Sequence, residues 1–267
     1  MSNERDQTIQ DFGRQWTSFT GNVGYRVSGE LFDDLIEPLV SASEFEGCSV
    51  ADIGSGTGRI VRMLHRAGAR RIVAVEPSEA MSELRNDTSD IASAIEYLEV
   101  RGDQLPPTGD LDWVVSFGVL HHIPDPGPVV AAAYHALRPG GRILVWLYGR
   151  EGNEFYLSIA EPLRKLTCRL PHGVLHVLSR LLEPFLSGYT AACRWLPLPM
   201  AAYMRGQIAL FSREARVLTI YDQLNPRYAR YYRQEEAIAL LESAGFRNTT
   251  SFHRHGYSWT VVATKPG

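Results

Sequence analysis

Three glycines alternate directly after a short apolar run near residue 50, and this turn constrains the fold more than any other feature of the chain. Residues 50–53 are mostly apolar, Gly54, Gly56 and Gly58 follow, and a helical pattern begins at Arg59. Glycines at such a turn let the chain reverse tightly and let a ligand lie against the backbone. The spacing departs from the Gly-x-Gly-x-x-Gly pattern of dinucleotide-binding loops. We therefore predict a strand, a turn and a helix that bind an adenosine ligand without a pyrophosphate.

Two acidic residues follow later apolar runs of the same region. Glu76 comes directly after residues 72–75, and Asp103 follows a weaker apolar run. A carboxylate at the end of the second strand can accept hydrogen bonds from both ribose hydroxyls. An aspartate at the same edge can accept from the exocyclic amine of adenine. We predict that Glu76 and Asp103 share one crevice with the glycine turn, whereas the alternative for each is an ordinary loop carboxylate.

Short apolar runs alternate with amphipathic stretches between residues 48 and 148, which is typical of a doubly wound α/β fold with a parallel sheet. The predicted strands in this region are residues 49–53, 71–76, 94–100, 111–117 and 141–146. The predicted helices are residues 58–67, 78–85 and 128–137, the last stopped by the Pro-Gly-Gly segment at 139–141. A helix at 234–244 and two strands at 246–253 and 258–264 complete the pattern.

The patterns divide the chain into four parts. We predict an N-terminal helical cap at 1–45, a Rossmann-like core at 46–150, a helical insertion at 151–230, and a C-terminal helix with a closing hairpin at 231–267. Prolines punctuate the helical pattern of the insertion at positions 162, 171, 184, 197 and 199. Its apolar content is too high for a disordered segment. We predict a lid that excludes water above the ligand, and homodimerisation through the same helices is the alternative.

Composition narrows the classes of partner. A net charge of -3 offers no broad positive surface, so nucleic acid is not expected. The 3 cysteines are widely spaced, which predicts neither a metal site nor a disulfide framework and favours the cytoplasm. The first residues are polar and no apolar run is long enough to span a bilayer, so neither a signal peptide nor a membrane span is expected. A small-molecule partner is favoured.

Five segments, in this order, resemble the class I S-adenosyl-L-methionine (SAM) dependent methyltransferases, in particular the group acting on small molecules and quinones. The segments are VADIGSGTG at 50–58, AVEPS at 74–78, RGD at 101–103, DWVVS at 112–116 with LHHIPD at 120–125, and LRPGG at 137–141. The resemblance covers residues 45–148 well and residues 151–230 only loosely. It implies a seven-stranded sheet whose last strand is antiparallel.

The resemblance also implies SAM as the cofactor, S-adenosyl-L-homocysteine as its product, and a set of cofactor-binding residues. Asp52, Gly54, Gly56 and Gly58 would lie near the methionine part, and Glu76 would bind the ribose. The remaining implied cofactor-binding residues are Pro77, Met81 at the adenosine, Asp103 and Gln104 at the adenine, Phe117 and Gly118 at the methionine end, and Trp16 in an N-terminal helix over the cofactor.

Methyl transfer requires alignment of donor and acceptor in a dry site, and no metal. Histidine is the general base best suited to neutral pH. We predict His121, His122 and Tyr148 as catalytic residues, although the histidine pair could instead order its loop. Further residues predicted to reach an acceptor, or else to pack at the seam of the insertion, are Arg150, Glu154, Tyr221, Asp222, Tyr228 and Tyr232.

Three alternatives to methylation remain open at this point. SAM can support decarboxylation, cyclisation or transfer of a modified group on the same fold. A tRNA-modifying enzyme is disfavoured because the chain lacks a basic stripe. A regulatory module that only binds SAM is the third. His253 and His255 alternate on a predicted strand and could form a metal pair, but without a third ligand we predict solvent-facing imidazoles.

Overall fold

The computed structural model describes residues 29–225 and 228–267. The prediction for Trp16 and most of the predicted cap lie outside these residues. The helices, in chain order, are α1 (Gly29–Ile36), α2 (Arg59–Arg66), α3 (Ala80–Asp87), α4 (Gly127–Ala136), α5 (Glu154–Thr167), α6 (His172–Ala192), α7 (Ala201–Gly206), α8 (Arg213–Leu224) and α9 (Gln234–Glu242). The strands are β1 (Ser49–Ile53), β2 (Arg71–Val75), β3 (Ile95–Leu98), β4 (Leu111–Phe117), β5 (Leu137–Tyr148), β6 (Arg247–Arg254) and β7 (Ser258–Thr264).

The seven strands form one sheet in the order β3-β2-β1-β4-β5-β7-β6. The first five strands pair in parallel, and β7 runs antiparallel to both of its neighbours, β5 and β6. The strand order reverses between β1 and β4, which creates a crevice at the carboxyl ends of these two strands. The predicted doubly wound sheet with an antiparallel last strand is confirmed.

Helices cover both faces of this sheet. All five side chains of β1 are buried. Because successive side chains of a strand point to opposite faces, Val50 packs with α1, α2 and α3, while Ala51 packs with α4 and α9. A parallel sheet covered on both faces favours strands that are largely apolar, and three of the five residues of β1 are apolar. The core therefore lies in two layers, one on each side of the strands.

Most predicted strands agree with the structure, and β5 shows the largest difference. The Pro-Gly-Gly segment at 139–141 does follow the end of α4, but it does not delay the strand. Leu137 already pairs with Leu111 of β4, and the backbone of Gly141 accepts a hydrogen bond from the Lys265 amide. The extended backbone that proline and glycine adopt there is compatible with a sheet edge, so β5 begins before the predicted start at Gly141.

Helices α5 to α8 occupy the segment between β5 and α9. The predicted interruptions at Pro162 and Pro184 are wrong, because these prolines lie inside α5 and α6. Both prolines are exposed, so water can reach the carbonyl groups that lose their helical partner. Among the described residues, no helix has both the length and the apolarity needed to cross a membrane.

Candidate functional site

The glycine turn connects β1 to α2 at the crevice of the sheet. Gly54 and Gly58 have φ angles of 79° and 91°, a region that residues with a side chain rarely adopt. A Cβ atom at Gly54 would overlap the Val119 side chain, and one at Gly58 would lie 2.9 Å from Thr88 Cγ2. The turn therefore needs glycine both for its backbone conformation and for the space against its neighbours.

Asp52 lies on β1 just before this turn and is only 1% exposed. Its Oδ2 atom is buried without a hydrogen-bond partner among the described residues. Burial raises the pKa of Asp52 to about 7, and the nearby Glu76 carboxylate adds to the shift. An unsatisfied buried carboxylate oxygen is costly, so its retention is consistent with a ligand that supplies a positive group or a donor.

Glu76 connects the loops that follow β1 and β2. Its Oε2 accepts a hydrogen bond from the Gly56 amide at 2.9 Å, and its Oε1 accepts from the amide and hydroxyl of Ser78 at 3.0 and 2.5 Å. The side chain is 7% exposed. The carboxylate thus holds the glycine turn and the next loop in one arrangement at the edge of the crevice.

The other predicted cofactor-binding residues lie around the same edge. Met81 of α3 is buried in the core layer, whereas Pro77 is half-buried. Asp103 forms an ion pair with Arg101 at 3.0 Å, and the exposed Gln104 accepts from the Arg101 amide at 3.3 Å. Their predicted contacts with the adenosine remain predictions.

A cavity of about 600 Å³ begins at the carboxyl end of β4 and extends beneath the insertion. Phe117 and Gly118 line it at the β4 end, and His122 and Tyr148 also reach it. Apolar side chains of the insertion form much of its wall, among them Phe155, Ile159, Leu163, Leu182, Leu186 and Ile208. The structure therefore joins the crevice of the sheet to the predicted lid.

His122 is held in one tautomer at the cavity wall. Its Nδ1 lies 3.0 Å from the carbonyl oxygen of Tyr228. A carbonyl only accepts, so Nδ1 carries the proton of the neutral ring and Nε2 keeps its lone pair. Burial lowers the pKa of His122 to about 4, so the ring is neutral at pH 7. His122 can accept a hydrogen bond or a proton through Nε2.

His121 has a different environment from its neighbour. Its ring stacks on Tyr148 with centroids 3.8 Å apart, and it does not line the cavity. The side chain is fully buried, and neither ring nitrogen has a hydrogen-bond partner among the described residues. Burial lowers the pKa of His121 well below its ordinary value. Of the three predicted catalytic residues, the structure brings His122 and Tyr148 to the cavity and leaves His121 behind Tyr148.

A polar cluster centred on Gln223 forms part of the wall of this largely apolar cavity. The Gln223 Oε1 accepts hydrogen bonds from the Tyr156 and Tyr231 hydroxyls at 2.7 and 3.2 Å, and its Nε2 lies 3.4 Å from the Tyr148 hydroxyl. Behind these side chains, Arg164 donates a hydrogen bond to the Tyr231 hydroxyl at 3.0 Å and another to the backbone carbonyl of Gln223 at 2.9 Å. The guanidinium is 6% exposed, so a positive charge is buried next to the cluster.

Sequence reasoning missed Tyr156, Arg164, Gln223 and Tyr231. It pointed instead to nearby polar residues, of which Asp222 does line the cavity. The other predicted residues lie elsewhere: Tyr221 packs against Leu175, Tyr232 is buried in the sheet core, and Tyr228 holds His122 through its backbone. The sequence did contain one signal for Tyr231. Adjacent residues of an extended segment point in opposite directions, so when Tyr232 is buried in the core, Tyr231 points away from it.

The two late histidines do not form a metal pair. β6 ends at Arg254, and His255 lies in the following turn with a φ angle of 48°, so the predicted common face is wrong. His253 stacks on Trp259, while His255 Nε2 lies 2.7 Å from an Asp34 carboxylate oxygen. The described part of the chain contains no group of three or more residues arranged to hold a metal ion.

Comparison with known proteins agrees with this geometry. Residues 51–145 match the family described as a methyltransferase domain. A ubiquinone biosynthesis O-methyltransferase of Rhodopseudomonas palustris (strain TIE-1) is 30% identical over 122 residues, which are 45% of this chain and 47% of the relative. The chain spans about half the length of the curated relatives it matches.

Solved structures share the fold over a larger part of the chain. A SAM-dependent methyltransferase of Thermotoga maritima, titled a possible histamine N-methyltransferase, has a TM-score of 0.56 at 16% identity and covers 96% of this chain and 98% of that one. A magnesium protoporphyrin IX methyltransferase of Synechocystis PCC 6803 with bound S-adenosylhomocysteine has a TM-score of 0.52 at 15% identity, covering 89% and 83%.

The identities to the solved structures are low, so these structures show only a shared fold. The domain match at residues 51–145, in contrast, is a match of the sequence itself. The match begins in β1 and ends in β5, so it contains the glycine turn, Glu76 and the loop of His122. Residues 51–145 are therefore a methyltransferase domain, similar in sequence to the small-molecule type of class I enzymes whose cofactor is S-adenosyl-L-methionine.

Proposed function

We propose that the protein transfers a methyl group from SAM to an oxygen, nitrogen or carbon atom of a small apolar or aromatic acceptor bound in the cavity. The observation that carries the proposal is the continuity of this cavity with the β4 end of the crevice at Phe117 and Gly118. Largely apolar walls with a few convergent polar groups are typical of small-molecule sites. The insertion covers the cavity, so it would keep water from the acceptor.

The residues at the crevice fit the cofactor. The unpartnered Oδ2 of Asp52 suits the ammonium of the methionine part, and the positive φ angles of Gly54, Gly56 and Gly58 form the tight turn that brings backbone to the crevice beside it. When bound, SAM supplies an electrophilic methyl group on a sulfonium leaving group. We assign Glu76 and Pro77 to the ribose, and the remaining roles as predicted: Met81, Asp103 and Gln104 at the adenosine, Phe117 and Gly118 at the methionine end.

His122 is proposed as the proton acceptor for an acceptor hydroxyl. As the acceptor oxygen forms its bond to the methyl carbon, the bond between that carbon and sulfur breaks with its electron pair going to sulfur, and the hydroxyl proton passes to Nε2. The bond from Nδ1 to Tyr228 fixes the tautomer that this role requires. His121 stacks behind Tyr148 and is proposed as a positioning residue.

The cluster at Gln223 is proposed to orient the acceptor. Tyr148, Tyr156 and Tyr231 present hydroxyls that can donate or accept, and Gln223 holds all three. The buried positive charge of Arg164 favours an acceptor whose polar end is a carbonyl, a carboxylate or an ionised phenol. An apolar body with one such end would match both parts of the cavity.

The partners and location follow the same proposal. We infer a small-molecule acceptor rather than nucleic acid, supported by the net charge of -3 and the largely apolar cavity. We also propose that the protein acts in the cytoplasm, since Cys48, Cys168 and Cys193 are all unpaired. Fractionation of cells that express a tagged full chain tests this location.

Cofactor binding and chemistry are tested separately. Calorimetry with S-adenosylhomocysteine should give binding that Asp52→Ala or Glu76→Ala weakens at least about tenfold, because each loses a charged hydrogen-bonding group. His122→Ala should retain the wild-type affinity. Unchanged affinity in both carboxylate variants would show that the assigned site is wrong.

The reaction itself is tested with methyl-labelled SAM and a panel of aromatic hydroxy, amino and carboxylic acids. Label in a product whose mass rises by one methyl group would support the proposal. A product without label, or a change of another mass, would point to decarboxylation, cyclisation or transfer of a modified group. Binding of labelled SAM with full retention of its methyl group throughout the panel would instead favour a regulatory module.

A further inference from the structure

Helices α5 and α6 each carry exposed apolar side chains, and we call this set the outer face. Its members are Phe155, Ile159, Leu166, Val174, Val177, Leu181 and Phe185. Phe185 is 76% exposed and Leu166 is 70% exposed. Neighbouring members along each helix are three, four or seven residues apart, which places these side chains on one stripe per helix. Monomeric soluble proteins rarely expose apolar side chains in such contiguous stripes.

The inward sides of the same helices are more polar than the outer face. Arg164 and Thr167 of α5, and Ser179, Glu183 and Thr190 of α6, are all buried. The Arg164 and Thr167 side chains donate hydrogen bonds to backbone carbonyls of α8. Glu183 of α6 forms an ion pair with Arg216 of α8. A surface helix in water has the opposite arrangement, with its apolar stripe on the core. Leu157, Ala160 and Leu175 are also buried, but five of the eight buried side chains of α5 and α6 are polar, while large apolar side chains remain on the exposed sides of both helices.

The charge of the insertion indicates which environment this is. Residues 154–224 contain 8 basic and 5 acidic residues and so carry a net charge of +3, although the whole chain has -3. Lys165, Arg169, Arg180 and Arg194 are exposed and lie on or just after the helices of the outer face. Basic side chains beside apolar ones are attracted to the headgroups of anionic lipids.

Trp195 is a further exposed apolar side chain that points to a lipid surface. It follows α6 and is 88% exposed, so its large ring is almost entirely in solvent. Tryptophan is enriched at the boundary between lipid headgroups and acyl chains, where its apolar body and N–H group both find partners. We propose that the outer face, together with Trp195, docks on the surface of an anionic lipid bilayer.

The position of the cavity favours a bilayer over a second copy of the chain. Phe155 and Ile159 line the cavity and are 62% and 57% exposed, so these two members of the outer face also stand at an entrance of the cavity. A permanent partner on this face would close the entrance. A reversible contact with lipid leaves the entrance facing an apolar phase from which an apolar acceptor can enter, a consideration that rests on the proposed function.

Vesicle flotation of the full chain tests the docking directly. Vesicles of phosphatidylcholine with phosphatidylglycerol should carry the protein upward, pure phosphatidylcholine vesicles should carry much less, and added salt should reduce the binding. The double variant Leu181→Glu with Phe185→Glu should lower the partition coefficient by at least about tenfold, because two apolar anchors become negative charges. Phe252→Glu, an exposed aromatic of β6, is the matched control and should bind like the wild type.

A second measurement keeps the proposal independent of folding defects in that variant. Brominated lipids should quench the tryptophan fluorescence of the wild type, and Trp195→Phe should lose most of this quenching. Affinity for S-adenosylhomocysteine, measured by calorimetry, reports on the fold and on the cofactor site without lipid. Its absence in the wild type would contradict the proposed function and leave the vesicle result to decide the docking, whereas its loss only in the double variant would show a folding defect and leave the quenching result to decide.

Three results would overturn the docking. The first is no flotation with either kind of vesicle. The second is flotation that the double variant leaves unchanged. The third is a dimer in light scattering that the double variant dissociates, combined with no binding to vesicles, which would assign the outer face to a second copy of the chain.

Discussion

The sheet core and the insertion differ in which kinds of side chain they bury and which they expose. In the core, apolar side chains point inward from β1, β4 and β5, and charged groups lie at strand ends. In the insertion, α5 and α6 bury Arg164 and Glu183 and expose Phe155 and Phe185. The core therefore buries its apolar side chains against its own helices, whereas the insertion buries several hydrogen-bonded polar side chains and leaves large apolar ones exposed. The cavity lies between the two regions.

The largest expected effect concerns His122, which belongs to the core loop but is held by Tyr228 from the far end of the insertion. His122→Phe should lower kcat by about 10²- to 10⁴-fold once an acceptor is known, because general-base assistance is lost. The affinity for S-adenosylhomocysteine should not change. Steady-state kinetics and calorimetry measure the two quantities.

The neighbouring residue provides the control for that variant. His121→Phe removes two ring nitrogens that have no described partner, so its effect on kcat should be much smaller and its free energy of unfolding should not fall. Equal losses of kcat in both variants would contradict the assignment. Because burial lowers the pKa of His122 to about 4, kcat at saturating SAM should also be independent of pH between about pH 6 and pH 8.

A matched pair of leucines measures the contrast between the two regions. Leu144 of β5 is fully buried, and Leu181 of α6 is 64% exposed. Leu144→Ala should lower the free energy of unfolding by about 2–5 kcal/mol, since it leaves a cavity in the core. Leu181→Ala should change it by no more than about 0.5 kcal/mol. Urea denaturation measures both, and a large loss for Leu181→Ala would show that the outer face is covered within the chain itself.

Substitutions at two glycines distinguish the stability cost of backbone strain from the stability cost of close packing. Gly54 and Gly109 both have positive φ angles, 79° and 67°, but only Gly54 faces a neighbouring side chain. Gly109→Ala should cost about 1 kcal/mol from backbone strain alone. Gly54→Ala should cost about 3 kcal/mol and weaken cofactor binding, because its Cβ would also overlap Val119. Similar costs in urea denaturation would rule out the close approach.

The pKa of Asp52 predicts a pH-dependent affinity. In the free protein burial raises this pKa to about 7, from an ordinary value of 3.8. A cationic ammonium favours the ionised carboxylate, so the affinity for S-adenosylhomocysteine should fall by up to about tenfold per pH unit below pH 7 and level off above it. Calorimetry across this range should show the fall in the wild type and no such dependence in Asp52→Asn.

The free energy of unfolding of the ligand-free protein should depend on pH in the opposite direction, falling as the pH rises. A raised pKa means that the folded state holds the proton of Asp52 more tightly than the unfolded chain. The stabilisation is fully present below pH 3.8 and is lost as the pH rises through about 7. Asp52→Asn should remove this loss, so its advantage over the wild type in free energy of unfolding should grow from pH 5 to pH 8.

The smallest expected effect lies in the polar cluster of the cavity. Gln223→Leu keeps the size of the side chain but removes the group that joins Tyr148, Tyr156 and Tyr231. The KM for the acceptor should rise about tenfold, corresponding to one or two lost hydrogen bonds, with little change in the affinity for S-adenosylhomocysteine. An unchanged KM would remove the cluster from acceptor recognition.

The core could be predicted from the sequence because its signals are local. Strands β1, β4 and β7 have the predicted bounds, and the glycine turn with Glu76 lies where strand ends must meet in a doubly wound sheet. Each of these features depends on a few consecutive residues and on the two-residue period of a strand. The family resemblance added the cofactor, and the domain match at 51–145 agrees with it.

The insertion could not be predicted to the same depth, because helical periodicity does not say which side of a helix faces inward. The apolar pattern around residues 174–182 was visible, yet only the packing on α8 decides that Leu175 is buried while Val177 and Leu181 are exposed. Prolines 162 and 184 look like helix ends in sequence, and their exposure to water allows the helices to continue.

By itself, then, the sequence determined the sheet, the glycine turn and the acidic strand ends, since short-range patterns and chain topology suffice for them. Only the tertiary structure decided that His122 reaches the cavity while His121 does not, and that Tyr156 meets Gln223 across 67 residues. Such contacts depend on the angles at which separate helices pack. Those angles are set by the fit of whole surfaces rather than by any one segment.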